Sequence, residues 1–108
     1  MIYVVFRKDN NDSYKGFTFI GHANSAPKGE DLVCCAASTL VFNTINSIEK
    51  FGGDKMHITT NEKEGLLDVI FNEELSSEAL LLVKSLDYGI NGLVKDYKSF
   101  ISLKYTEV

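Results

Sequence analysis

A chain of 108 residues, 44% apolar and 24% charged, can build one hydrophobic core but not two, and its composition is not that of a disordered segment. A net charge of −4 argues against direct nucleic-acid binding, which calls for a basic face. The only two cysteines, Cys34 and Cys35, are adjacent, and neighbours on a helix diverge by about 100°, so no disulfide scaffold is available.

Met1–Lys8 is rich in β-branched and aromatic residues and predicts a strand. Asp9–Ser13 is a cluster of turn formers, and Tyr14–Ala23 resumes as a strand, so the two predict a hairpin. Asn24, Ser25, Ala26, Pro27, Lys28, Gly29 and Glu30 read as a loop. Asp31–Phe51 predicts a long helix, with Val33, Ala36, Ala37, Leu40, Val41, Thr44, Ile45 and Ile48 at three- and four-residue spacing, Asp31 as N-cap and Gly52-Gly53 as the stop. Lys55–Asn61 and Leu66–Phe71 predict a second hairpin around Glu62-Lys63-Glu64-Gly65. A second helix starts at Ser76 or Ser77, with a kink or break expected near Gly89 and Gly92, and Ser99–Val108 is the final strand.

The order β-β-α-β-β-α-β predicts an α+β fold: a mostly antiparallel sheet packed with two helices, in a single domain over residues 1–108. No apolar run approaches the roughly 18 residues of a membrane span. Met1–Arg7 lacks the basic start and cleavage site of a signal peptide, so the expected location is the cytoplasm.

The residues with chemical potential converge on the entry to the first helix. With Asp31 as N-cap, Cys34 is the third helical residue, within the turn whose N–H groups are unpaired and whose dipole end is positive. Such a site favours a thiolate. His22, at the end of the preceding strand, is the histidine closest in sequence and is a candidate base for nucleophilic chemistry. First-turn N–H groups are candidate donors to an oxyanion. Each feature also has a plain structural reading. Cys34 is packing filler, His22 a surface residue and Asp31 a cap. Ser38, one turn after Cys34, either back-bonds to the helix or orients His22 or a substrate. Cys35 reads as buried and His57 as structural or exposed. A zinc site from His22, Cys34, Cys35 and His57 does not fit the usual ligand spacing, and no cofactor is implied.

Gly21-His22-Ala23, followed by Gly29, Asp31, Val33-Cys34 and Ser38, resembles the signature of the ribosomal-processing cysteine protease family Prp (YsxB-like). That signature runs Gly-His-Ala, a short loop, Gly-x-Asp-x-Val-Cys, and a serine four residues on. Length and element order are similar over the whole chain. The resemblance implies a thiol protease, with Cys34 as nucleophile and His22 as general base and acid. The implied substrate is a large-subunit ribosomal protein, the twenty-seventh in that nomenclature, which loses an N-terminal extension after a hydrophobic and aromatic stretch. A homodimer without membrane or nucleic-acid partners is also implied. The residue after the nucleophile, commonly small, is Cys35 here. Asp31 and Ser38 are carried as possible support, and the loop from Asn24 to Glu30 is expected to close over an extended substrate. Two rival readings are a non-catalytic ribosome-associated binding module and a thiol redox sensor using Cys34 and Cys35.

Overall fold

The computed structural model describes residues 1–21 and 28–108, with only the backbone described at 28–30. Strand β1 (Ile2–Lys8) turns through Asp9, whose carboxylate accepts the Asn11 and Ser13 amides, into β2 (Tyr14–Ile20). Helix α1 (Lys28–Ser47) runs on through a π-helical turn at Ile48–Gly52. The hairpin β3 (His57–Asn61) and β4 (Leu66–Ile70) follows, then α2 (Ser77–Tyr97) and β5 (Ile101–Glu107).

The expected element order and α+β class are those of the structure. The strands form one sheet in the order β3-β4-β2-β1-β5, antiparallel except for β1 against β5. Strand alternation sends Ile2, Val4 and Phe6 of β1 and Phe17 and Phe19 of β2 to one face. Both helices pack on that face. Val33, Ala37, Val41, Ile45 and Ile48 come from the first, and Val83, Leu86 and Ile90 from the second. Burying each such large apolar side chain contributes about 1.5–3 kcal/mol.

Four expectations need correction. Helix α1 begins at Lys28, so Asp31 is an exposed residue inside the helix rather than its N-cap, and Lys28–Glu30 belong to the helix rather than to the loop. Asn24–Pro27, together with His22 and Ala23, lie outside the described residues. Helix α2 runs without interruption through Gly89 and Gly92. Gly89 instead allows the helices to approach: a Cβ there would lie 3.3 Å from Leu40 Cδ1, and the buried Leu86 and Ile90 on either side hold the helix against the sheet. Finally, Asp31–Gly52 is long and apolar enough, by length and composition, to cross a membrane. Its apolar stripe from Val33 to Ile48 is buried in the core, as in a packed core helix.

Sequence-based stops and starts hold elsewhere. Gly53 adopts a left-handed conformation and its N–H closes the π-helical turn on the Ile48 carbonyl at 2.9 Å. Ser76 caps α2 by accepting the Ala79 amide, and its own N–H and hydroxyl donate to Asp54, which holds the Asp54 carboxyl below its ordinary value.

The far end of the sheet is tied to α2 by a carboxylate. Asp87 is 8% exposed and accepts the Tyr14 and Tyr105 hydroxyls and the Asn91 side-chain amide. The Lys8 ammonium lies over both tyrosine rings, at 4.5 Å and 5.4 Å from their centroids. Burial, then the hydrogen bond to Asp87, raises the Tyr14 pKa well above its ordinary 10.0. The folded chain therefore keeps this proton where the unfolded chain gives it up, and stability present below pH 10 is lost as pH rises beyond it. Tyr14→Phe removes one hydrogen bond to a charged group and should cost about 1.5–3 kcal/mol by denaturant titration at neutral pH. It should also flatten the alkaline fall in stability; an unchanged fall would show that Tyr14 is not its source.

Candidate active site

The inward stripe of α1 sets what the rest of the helix presents. Val33 and Ala37 are buried against the sheet, so Cys34 and Ser38, one position further round, are half-buried and turn toward the β3–β4 side of the molecule. Phe42 continues this row one turn later and is 51% exposed. Opposite them stand the end of β2 at Ile20-Gly21 and the β3–β4 hairpin. Between the two walls lies an open groove of about 380 Å³, with Phe19 and Leu67 from the sheet in its lining.

The two cysteines separate as their spacing requires. Both are free thiols. Cys34 lines the groove, whereas Cys35 is exposed and does not line it, so the expectation that Cys35 is buried is corrected. The phase of the helix explains this: the buried positions are Val33 and Ala37, and Cys35 falls on the side away from both.

Cys34 is the seventh residue of Lys28–Ser47, not the third. The unpaired N–H groups and most of the dipole effect are confined to the first turn. The helix terminus is therefore less of an activator of this thiol than the sequence suggested. The side chain does lean toward that terminus, because Cβ atoms on a helix tilt toward its N-terminal end.

Ser38 makes no hydrogen bond among the described residues, in contrast to Thr39 and Thr44, whose hydroxyls donate to the carbonyls of Cys35 and Leu40. Its hydroxyl is thus left for whatever enters the groove. Asp31 is exposed and does not line the groove. His57 is exposed on β3, the edge strand, in accordance with its plain reading. His22 follows Gly21 directly in the chain and lies outside the described residues, as does the loop at 24–27.

Sequence reasoning missed Phe42 on the helix wall and the whole of the wall opposite it. Phe42 falls within the predicted helix without being singled out, and Gly65 reads as a turn former. An exposed aromatic eight residues from a candidate nucleophile on the same helix was the available signal for Phe42. The contribution of the hairpin arises from strand pairing and carries no local mark.

Gly21 and Gly65 both line the groove and meet each other. The Gly21 N–H donates to the Gly65 carbonyl at 3.2 Å, one step beyond the Ile20–Leu66 register pair.

A family model described as cysteine protease Prp matches residues 1–102. A relative from Bacillus subtilis (strain 168) named ribosomal processing cysteine protease Prp is 29% identical over 102 residues, 91% of each chain. One of the same name from Staphylococcus aureus (strain Mu50 / ATCC 700699) is 25% identical over 85 residues, 79% of this chain and 80% of its own. Among solved structures, S. aureus Prp in complex with a substrate peptide superposes with a TM-score of 0.92 at 22% identity, covering 98% of this chain and 100% of that one. SMU.848 from Streptococcus mutans superposes with a TM-score of 0.87 at 25% identity, covering 100% and 96%. The chain belongs to the Prp family of cysteine proteases.

Proposed function

We propose that this cysteine protease removes the N-terminal extension of a bacterial large-subunit ribosomal protein, the twenty-seventh, with Cys34 as nucleophile and His22 as general base and acid. The observation that carries the reading is the placement of Cys34, and not Cys35, in an apolar groove with an exposed aromatic. The names of the curated relatives support ribosomal processing as the setting.

His22 takes the Cys34 thiol proton, and the thiolate attacks the scissile carbonyl carbon to form a C–S bond. The resulting oxyanion needs N–H donors. The N–H groups of the first turn of α1 supply them. Protonated His22 then gives its proton to the leaving amine as the C–N bond breaks. Water, deprotonated by the same imidazole, hydrolyses the thioester and restores the thiol.

The hydrophobic and aromatic stretch before the cut matches a groove lined by Phe19 and Phe42. Ser38 stands between Cys34 and Phe42 with a hydroxyl that makes no hydrogen bond among the described residues, suited to a backbone group of an extended peptide. Asp31, exposed on the first turns of α1, is a carboxylate able to influence His22. The chain acts as a homodimer in the cytoplasm, in a single protease domain over residues 1–108, with no direct nucleic-acid contact.

The test is cleavage of a peptide carrying the extension. Cys34→Ala should abolish turnover with the fold intact by circular dichroism, and His22→Ala should lower kcat by about 10²–10⁴-fold. Cys35→Ala should stay near the rate of the unsubstituted chain. Turnover by Cys34→Ala would overturn the assignment, and a reversible sulfenic or mixed-disulfide state without cleavage would support a redox sensor. Separately, Phe42→Ser should raise KM for the apolar peptide by roughly tenfold with little change in kcat, since a contact of about 1.5 kcal/mol is lost equally from ground and transition states. An unchanged KM would place the aromatic residues of the substrate elsewhere.

A further inference from the structure

We propose that Gly65, in the turn between β3 and β4, is a positioning residue for the catalytic base: it seats the peptide group that leads into His22. The proposal rests on the assignment of His22 as base made above.

The turn is closed locally. The Gly65 N–H donates to the Glu62 carbonyl at 3.2 Å, and the Asn61 side chain accepts the Glu64 amide at 3.2 Å. Gly65 has φ of +64°, a left-handed conformation that glycine adopts at little cost. That conformation alone does not mark the residue out, since Gly53 has φ of +69°. The two differ in surroundings. A Cβ at Gly53 would meet nothing within 4 Å, whereas a Cβ at Gly65 would lie 1.7 Å from the Gly21 carbonyl oxygen and 2.7 Å from its carbonyl carbon.

Gly21 is therefore held by one residue through both of its peptide groups. Its N–H is bonded to the Gly65 carbonyl, and its C=O rests against the Gly65 α-carbon, in space that no side chain can share. The other side of Gly21 is also closed: a Cβ there would come within 3.1 Å of the Ile2 α-carbon and of the Met1 carbonyl oxygen. The carbonyl carbon so confined is bonded to the nitrogen of His22. Gly21, Gly65 and Cys34 line the same groove. Nucleophilic catalysis tolerates little error here: a displacement of about 1 Å in a catalytic group can cost about 10²-fold in rate. Any side chain at position 65 forces this contact to open by that much or more.

The experiment compares Gly65→Ala, Gly65→Asn, Gly21→Ala and Gly53→Ala in the full chain. Steady-state cleavage is measured together with the pH profile of Cys34 alkylation by iodoacetamide. Gly65→Ala should lose about 100-fold in kcat with KM within a few-fold, and its alkylation profile should move toward that of His22→Ala. Gly65→Asn should fail equally, because asparagine tolerates the left-handed backbone but still carries a Cβ. Gly53→Ala should keep kcat and the alkylation profile despite the same backbone strain.

Should Gly65→Ala not fold, Gly21→Ala presses the same residue from the opposite side by tenths of an ångström and should lower kcat several-fold. A folded Gly65→Ala with unchanged kcat and alkylation profile overturns the proposal. So does recovery of activity in Gly65→Asn, which would reduce the effect to backbone strain, or an unchanged kcat in Gly21→Ala. The two assignments are separable. Full activity in His22→Ala removes the base itself, while loss in His22→Ala with full activity in Gly65→Ala removes only the positioning role.

Discussion

The helix wall of the groove, Cys34 included, depends on the rotational phase of α1. Val33, Ala37, Val41, Ile45 and Ile48 are all buried against one face of the sheet, and together they clamp the helix about its axis. A slip of one residue would rotate every side chain by about 100° and would expose this stripe, at a cost of about 1.5–3 kcal/mol for each large residue. Cys34 faces the groove because its neighbours are required elsewhere. The same constraint turns Cys35 outward and brings Ser38 and Phe42 into line behind Cys34. The position of Cys34, one residue from the exposed Cys35, is thus specified by core packing, against which Cys34 itself is partly buried.

The opposite wall obeys a different constraint, that of strand register. The pairing of Ile20 with Leu66 fixes which residues follow the ladder, and the next pair is Gly21 with Gly65. The parallel pairing of β5 with β1, the one non-antiparallel contact among the described strands, secures β1 from its other side. The buried Asp87 then ties the hairpin residue Tyr14 and the β5 residue Tyr105 to α2. Removing one partner of such a group leaves buried polar atoms unpaired, so the network acts as a lock on element placement. It lies at the far end of the sheet from Cys34 and touches no residue of the groove.

Much of this was legible beforehand because it depends on local pattern. Element order, the Gly53 stop and the Ser76 cap follow from spacing and from turn and cap chemistry, whereas the exposure of Cys35 did not. What was not legible depends on contacts distant in sequence. The parallel placement of β5, the groove and the slot around Gly21 come from pairing between residues some forty or more positions apart. Continuity of α2 through Gly89 is a case of packing overriding propensity, since Leu40 of the other helix fills the space that the missing side chain leaves. Asp31 was misread because its residue type suits a cap so well; the helix starts one turn earlier, at Lys28.

That one-turn difference changes the balance of the chemistry. A cysteine within the first turn of a helix draws on unpaired amides and the positive end of the dipole, and can ionise with little further help. Cys34, at the seventh helical position, is past the range at which that effect is strong. A thiol so placed depends more heavily on a neighbouring base to carry its proton. The demand then passes to whatever fixes the position of that base. With His22 as the proposed base, it falls on Gly21, which is held by hydrogen bond and by close contact against Gly65. The glycines are in this view as much a condition of the chemistry as the thiol, because the weaker the helix terminus is as an activator, the less positional freedom the base can be allowed.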